Sequence, residues 1–438
     1  MSVMPAALEG VPSPAMVREV VSGRLGTTAA AQLLGDPLRH GAAEALAPGL
    51  LGEVHNTPEL VRSKFKPGRR LTGYYRLGPA ESPAERHLAV YWHSGPIGPE
   101  GRAVTALASP ADPAMPQLVR LSDPGYLAGL AAHLAGRPGL ASAPLRVNTI
   151  RYRPGQRHVL RASAGPGELD VIVKTDRDIS GARAAYVARS LGVLLSERCP
   201  GAVVAEPLGF SARDGASLWH RAQGAPLSEL ITRDPAGAEH HVALVGRALR
   251  VLHDHALRSG SLGVSEVLGT HDVTAEAAAT LRAGEHIRVL LPAVGRAYDA
   301  LVATAIRSSQ GGTAQGLTFL HGDLKCDNLL VDGEQVRILD LDRCSRGDPA
   351  LDLGKFLADL CWWSPAPKPG STDLTRAFRD AYGETGDDRW RRAAVLAALF
   401  QLKFAARRYA VHDPLWATRV RDQVQAAATT LAAASGVR

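Results

Sequence analysis

The sequence predicts an α+β chain, with antiparallel sheets in its first half and helices in its second. Three features carry that expectation. Val61–Leu77 and Val147–Ser163 each read as an extended run, a Pro-Gly turn and a second alternating run. Beyond about residue 226, apolar residues recur at steps of three and four, the spacing of a buried helical stripe. One strand-turn-strand pattern, centred on Asp332-Gly333, interrupts those helices.

The first copy, VRSKFKPGRRLTGYYRL, aligns with the second, VNTIRYRPGQRHVLRAS, through Pro67-Gly68 on Pro154-Gly155 and Arg70 on Arg157. A third strand is expected after each, at Arg86–Ser94 and Leu169–Asp176. Only the second ends on a lysine, Lys174; the first has Trp92 or His93 thereabouts. Two copies are too few for a solenoid, so two small sheets in tandem are expected, with chemistry kept in the second. A helix over 181–198 and short strands in AEPLGF and SLWHRAQG follow. In EHHVALVGRALRVLHDHAL, Val242, Val245, Leu249, Leu252 and Ala256 form one buried stripe. Residues 272–309 are Ala-rich and periodic, and the C-terminal part reads as two helices broken at Asp413-Pro414. Trp362–Asp373 is a Pro-rich loop. The expected domains are 1–145, a sheet-containing unit that duplicates the next; 146–225, the second sheet and a connector; and 226–438, the helical part with its hairpin.

At 438 residues the chain exceeds one ordinary core. Its 45% hydrophobic and 21% charged content fits a soluble globular protein. No run of about 18 uncharged apolar residues occurs. The N-terminus MSVMPAALEGVPSPAMVREV lacks a basic start followed by an apolar core. No membrane span and a cytoplasmic location are therefore expected. The net charge of +7 comes from scattered basic residues, and aromatics make up only 5%. That excludes the clustered basic face with interleaved aromatics of a nucleic-acid binder and suits a surface tolerant of anionic ligands. Cys199, Cys326, Cys344 and Cys361 form no CxxC pair, so free thiols are expected. Zinc ligation by His321, Cys326 and Cys344 lacks paired ligand spacing.

The densest chemistry lies in FLHGDLKCDNLLVDGEQVRILDLDRC, Phe319–Cys344. A turn at Asp332-Gly333 makes strands of Leu329–Val331 and Gln335–Leu339. Asn328 begins the first and Asp340 ends the second, so antiparallel pairing brings them together with Asp323 just upstream. Oxygen ligands converging at one edge suit Mg²⁺. Isolated Asp-Asn clusters beside strands are more often turns and caps, so the reading depends on the whole string.

That string resembles the Brenner motif of the aminoglycoside phosphotransferase-like kinases, HGDxxxxN followed by a strand and an aspartate, here His321, Gly322, Asp323, Asn328 and Asp340. GDPALDLGKFLADL resembles the family's following GDPxxDL segment, in which Asp352 braces the catalytic loop. The resemblance covers about residues 147–438 and implies a bilobal protein-kinase-like fold: an antiparallel-sheet N-lobe, a mostly helical C-lobe, and here an additional N-terminal sheet domain. It implies ATP and Mg²⁺ as cofactors. Asp323 would accept or orient the acceptor's hydroxyl proton, Lys325 touch the transferred phosphate, and His321 organise the loop. Asn328 and Asp340 would hold the metal; Asp342 is either a second ligand or an N-cap. Lys174 would contact the α/β-phosphates, and backbone groups of Arg221, Ala222 and Gln223 the adenine edge. Trp219 is expected to be packed. The chain departs from the kinase pattern in three ways. The phosphate turn is YRPGQRH or AGPGE instead of GxGxxG. Lys174 pairs either with Glu197 or with another acid. No APE segment follows.

The acceptor is a small molecule with a hydroxyl (an aminoglycoside, a sugar or a related natural product) or, alternatively, a Ser/Thr peptide from a ribosomal-peptide pathway. A non-catalytic pseudokinase is the other alternative. Asp359 and the acids of Gly383–Asp388 are candidates for binding a polycation, although acids at a helix start are more often solvated there. The N-terminal sheet offers edges for a protein partner by strand addition.

Overall fold

The first hairpin pairs β1 (Glu59–Lys66) with β2 (Arg70–Leu77), and its last pair is Lys66 with Arg70. The second pairs β5 (Arg146–Arg153) with β6 (Arg157–Ser163), and its last pair is Arg153 with Arg157. Both turns close on a glycine at positive φ, Gly68 at 68° and Gly155 at 63°. The repeat seen in sequence is thus a repeat in register. It extends to the third strands, β3 (Arg86–Ile97) and β7 (Asp170–Asp176). Thr72 faces Tyr91 as Val159 faces Lys174. Tyr91 therefore occupies the position of Lys174, one residue before the expected Trp92 and two before His93.

The computed structural model describes residues 10–46, 57–78, 85–97, 101–165, 169–177, 180–257, 263–309, 316–364, 373–385 and 388–435. Residues 365–372 of the Pro-rich loop, residues 386–387 and most of AGPGE lie outside them, while Trp362 and Trp363, expected in that loop, end a helix. With β4 (Arg102–Ala108) the first sheet runs β1-β2-β3-β4. With β9 (Pro207–Ser211) and β10 (Ala216–His220) the second runs β5-β6-β7-β10-β9. Helices named here are α1 (Pro14–Ser22), α2 (Gly26–Gly35), α3 (Pro124–Ala135), α4 (Ser180–Arg198), α5 (Pro235–His255), α6 (Val273–Ala283), α7 (Pro292–Ser309), α8 (Ala350–Trp363), α9 (Leu374–Tyr382), α10 (Arg389–Arg407) and α11 (Trp416–Ser435).

Two large apolar cores and one small cluster, Met115, Leu118 and Tyr152, result among the described residues. Leu160, Val171, Val173 and Leu218 of the second sheet bury against Leu127, Ala128 and Ala131 of α3. That helix is well delimited: Asp123 caps it, Pro124 opens it and Gly136 ends it in the left-handed conformation. The other core is shared by α1, α2, the first sheet, α4 and the helical lobe. The first sheet also docks on that lobe through polar contacts. Ser63 Oγ lies 3.0 Å from His412 Nδ1, and Arg69 pairs with Glu285.

In the helical lobe α8 is buried along most of its length and packs against α10, which α11 covers. The hairpin is β13 (Leu329–Asp332) and β14 (Gln335–Ile338), and it is not isolated. β11 (Ala225–Pro226) adds to β13, and β8 (Ala202–Val204) pairs with β14 in parallel. The register also moves the turn by one residue. Asp332 pairs with Gln335, so Gly333-Glu334 is the loop, with Gly333 at φ 56°. The second sheet joins the helical lobe through Arg221–Gly224. Gly224 sits at φ 108°, and a Cβ there would fall 2.3 Å from the Val331 carbonyl oxygen.

Candidate active site

The loop from His321 to Asn328 leaves β12 (Thr318–Leu320), which pairs with β15 (Ser345–Gly347), and enters β13. Asp352, 1% exposed on α8, holds its start. One carboxylate oxygen accepts the His321 N–H at 2.6 Å and the other the Gly322 N–H at 2.9 Å. Burial alone would raise this acid, but the His253 and His321 rings and the Gly322 amide hold it below its ordinary value. Gly322 is at φ 73°, and a Cβ there would meet the Arg343 carbonyl oxygen at 2.3 Å. His321 is fully buried. Its Nε2 lies 2.9 Å from the Leu339 carbonyl and its Nδ1 accepts the Asp323 N–H at 3.2 Å. Both ring nitrogens are thus engaged, one within the loop and one at the end of the hairpin.

Asp323 carries its carboxylate beside the Lys355 ammonium, which also donates to the Gly322 carbonyl at 3.2 Å. Burial pushes the Asp323 acid up, but the Lys355 and Lys325 charges outweigh it, and the group sits below its ordinary value. Lys325 thus acts on Asp323 through its charge.

Asn328 Nδ2 donates to the Asp323 carbonyl at 2.9 Å, leaving its side-chain oxygen as the atom for a metal. The Leu339 N–H donates to the Asn328 carbonyl at 2.9 Å, so the hairpin brings Asn328 and Asp340 side by side. Asp340 is the one non-glycine at positive φ among the described residues, at φ 63° and ψ 56°. Holding it there costs about 1–3 kcal/mol, a strain characteristic of ligand-binding positions.

Lys174 reaches across from β7, placing Nζ 2.9 Å from Asp340 Oδ1 and 3.5 Å from Asp342 Oδ2. It also lies 5.5 Å from the centre of the packed Trp219 ring. Asp342 makes no capping hydrogen bond among the described residues. Its Oδ2 is 2.7 Å from Arg157 Nη1, and Arg157 Nε is 2.6 Å from Asp176. Burial and the neighbouring Asp340 charge push Asp342 up, while Lys174 and Arg157 hold Asp340 down against burial. Glu197 is exposed at the end of α4, so the partner of Lys174 is the Asp340–Asp342 pair. From α4, Arg183 instead donates to the Asp342 carbonyl at 3.1 Å.

The YRPGQRH turn does not present a free glycine amide. The Gly155 N–H donates to Asp112 at 2.6 Å, and Tyr152 Oη donates to the same carboxylate at 2.9 Å. The basic group on this side of the cleft is Arg157, paired with Asp176 and Asp342 and aligned with Arg70 in the sequence repeat, where it carried no assigned role. Lys355 was also missed; its signal is its place three residues after Asp352, on the same helix face. In the connector, the Arg221 N–H already donates to the Asp170 carbonyl at 2.9 Å, leaving Ala222 and Gln223 for a nucleotide edge. Asp359 is not an acceptor-site acid. It is fully buried, pairs with Arg408 and accepts the Cys326 N–H at 2.6 Å. Asp388 pairs with Arg391 and Arg392 at the start of α10. The four cysteines are free. No described helix is long and apolar enough to cross a membrane.

Residues 156–396, more than half of the chain, match the phosphotransferase enzyme family. No curated protein matches in sequence. Among solved structures, a choline/ethanolamine kinase family protein from Mesorhizobium loti is similar at 21% identity and a TM-score of 0.46, covering 70% of this chain and 98% of its own. Spectinomycin phosphotransferase, solved with ADP and spectinomycin, is similar at 13% identity and 0.49, covering 69% and 97%. Choline kinase from Cryptosporidium parvum Iowa II is similar at 11% identity and 0.49, covering 70% and 95%.

Proposed function

The chain belongs to the phosphotransferase enzyme family, whose acceptors are hydroxyl groups, and from that premise we propose that it moves the γ-phosphate of ATP, with Mg²⁺, to a small-molecule hydroxyl. The observation that carries this is the meeting of Lys174 with Asp340, 2.9 Å apart, beside Asn328 and within one loop of Asp323. Structural packing alone does not require a strained aspartate, a cross-lobe lysine and a carboxylate with two lysines in one cleft.

Each residue has a task. Asp323, kept ionised by Lys355 and Lys325, orients the acceptor hydroxyl and takes its proton as the oxygen–phosphorus bond forms and the bond to the β-phosphate oxygen breaks. Lys174 and Arg157 neutralise phosphate oxygens on the sheet side. The hard oxygens of Asn328 and Asp340, with Asp342 as a second carboxylate, fit Mg²⁺. When bound, the ion supplies charge neutralisation across the phosphates. Ala222 and Gln223 offer backbone groups to the base.

Calorimetric titration of ATP, with and without Mg²⁺, tests the assignment. Magnesium-dependent binding is expected in the parent, its loss in Asp340→Ala, and retained binding without turnover in Asp323→Ala. Transfer at the parent rate by Asp323→Ala would remove the assignment.

A further inference from the structure

We propose that the acceptor carries an anionic group, a phosphate or a carboxylate, beside the hydroxyl it presents to Asp323, and that the N-terminal sheet builds part of the cradle that binds it. The inference rests on the phosphotransferase reading of the site and names its substrate class.

The cradle follows from the repeat. β1 puts Arg62 and Lys64 on one face while Phe65 on the other is buried; β5 puts Arg151 and Arg153 on one face while Tyr152 is buried. The Arg62 charge lies near enough to act on both Arg151 and Arg153, so basic residues of the two repeats share one positive region. The helical lobe adds Arg343, next to the metal-site aspartates in sequence, and Arg407, at the end of α10. Arg407 is a neighbour of Lys64 and of Asp323, and Arg151 of both Asp323 and Asp340. The positive surface therefore meets the site at Asp323, where the acceptor hydroxyl belongs.

These six side chains make no ion pair among the described residues, and all but the half-buried Arg153 are exposed. The acids around them are committed elsewhere: Glu276 to Lys403 and His271, Glu285 to Arg69, Asp323 to Lys355. Desolvation by the protein packed around them, and then repulsion from neighbouring cations, pushes Lys64 down to about 8 and Arg153 down to about 10. Like charges kept together at such a cost, from three separate parts of the chain, are relieved by an anion. A polycation would be repelled by the same field.

Two readouts test this in the full chain. Phosphorylation from Mg·ATP is measured with acceptors of one carbon skeleton in neutral, aminated, carboxylated and phosphorylated forms. Separately, inorganic phosphate is titrated calorimetrically into chain saturated with Mg²⁺ and a non-hydrolysable ATP analogue. The carboxylated or phosphorylated acceptor is expected to be preferred at least tenfold in kcat/KM, and the two arms tell which anion is read. The double variant Arg62→Gln/Lys64→Gln, on an exposed strand, and Arg407→Gln, on a different element, should each raise KM for that acceptor at least fivefold, with kcat changed less than twofold. Both should weaken phosphate binding at least fivefold. Preference for the aminated acceptor, phosphate binding unchanged in both variants, or phosphate binding abolished by the nucleotide analogue would overturn the proposal. Failure of the nucleotide analogue itself to bind would instead sink the phosphotransferase reading of the site.

Discussion

Asp352→Asn is the sharpest test of how the active-site loop is held. In the parent, two carboxylate oxygens accept two buried backbone N–H groups, from His321 at 2.6 Å and Gly322 at 2.9 Å. An asparagine keeps the shape but has one acceptor. Its NH₂ must face one of the two amides, leaving a buried donor pair without partners. Each orphaned donor costs about 1–3 kcal/mol, and a carboxylate's charge-assisted bonds are worth roughly twice neutral ones. The loss of stability should be about 3–5 kcal/mol, a large share of the roughly 5–15 kcal/mol that holds a domain. Gly322 is held at φ 73° where a Cβ would strike the Arg343 carbonyl, so displacement should pass to the neighbouring Asp323. A misplacement of about 1 Å there costs about 100-fold in rate. Urea unfolding followed by tryptophan fluorescence, paired with turnover, measures both. A variant within about 1 kcal/mol of the parent and with unchanged turnover would refute the argument that Asp352 organises the loop.

Two further outcomes are expected. Lys355→Met removes the largest charge holding Asp323 down, so the acid limb of the pH–rate profile should move to higher pH, with kcat about 10–100-fold lower at neutral pH. A limb that stays in place would separate Lys355 from Asp323. Burial favours the neutral acid of Glu276, but His271 and Lys403 hold it down to about 2. A folded acid below its unfolded value of 4.5 stabilises above that pH and loses its contribution as pH falls toward 2. Glu276→Gln should therefore flatten the acid fall in stability, by on the order of 3 kcal/mol; an unaltered slope in pH-dependent urea melts would contradict this.

Much of this was legible because it is local. Period-two alternation around an Asp-Gly pair places a hairpin, and a hairpin places Asn328 beside Asp340 whatever surrounds it. The Pro-Gly repeats likewise report their own register. What was hidden depends on contacts between distant elements. Arg157 becomes a site residue only because Asp342 arrives from 185 positions further on, at 2.7 Å. Glu197 looked like an ion-pair partner by position on its helix, yet that end of α4 points to water. Asp359 looked like an acceptor acid for want of any sign that Arg408 would cover it. The basic alternations of β1 and β5 are visible in the string, but that their charges act on one another is a tertiary fact.

The docking of the first sheet on the helical lobe changes the mechanics of the cleft. The second sheet has its own core with α3, yet the chain crosses between it and the rest four times: from β4 into α3, from β7 into α4, from β8 into β9 and through Arg221–Gly224. A body held at one point can swivel in any direction; each further tie removes part of that freedom. Any motion of the second sheet over the cleft must therefore be shared among four ties, and a change in the length of one would be felt at the other three.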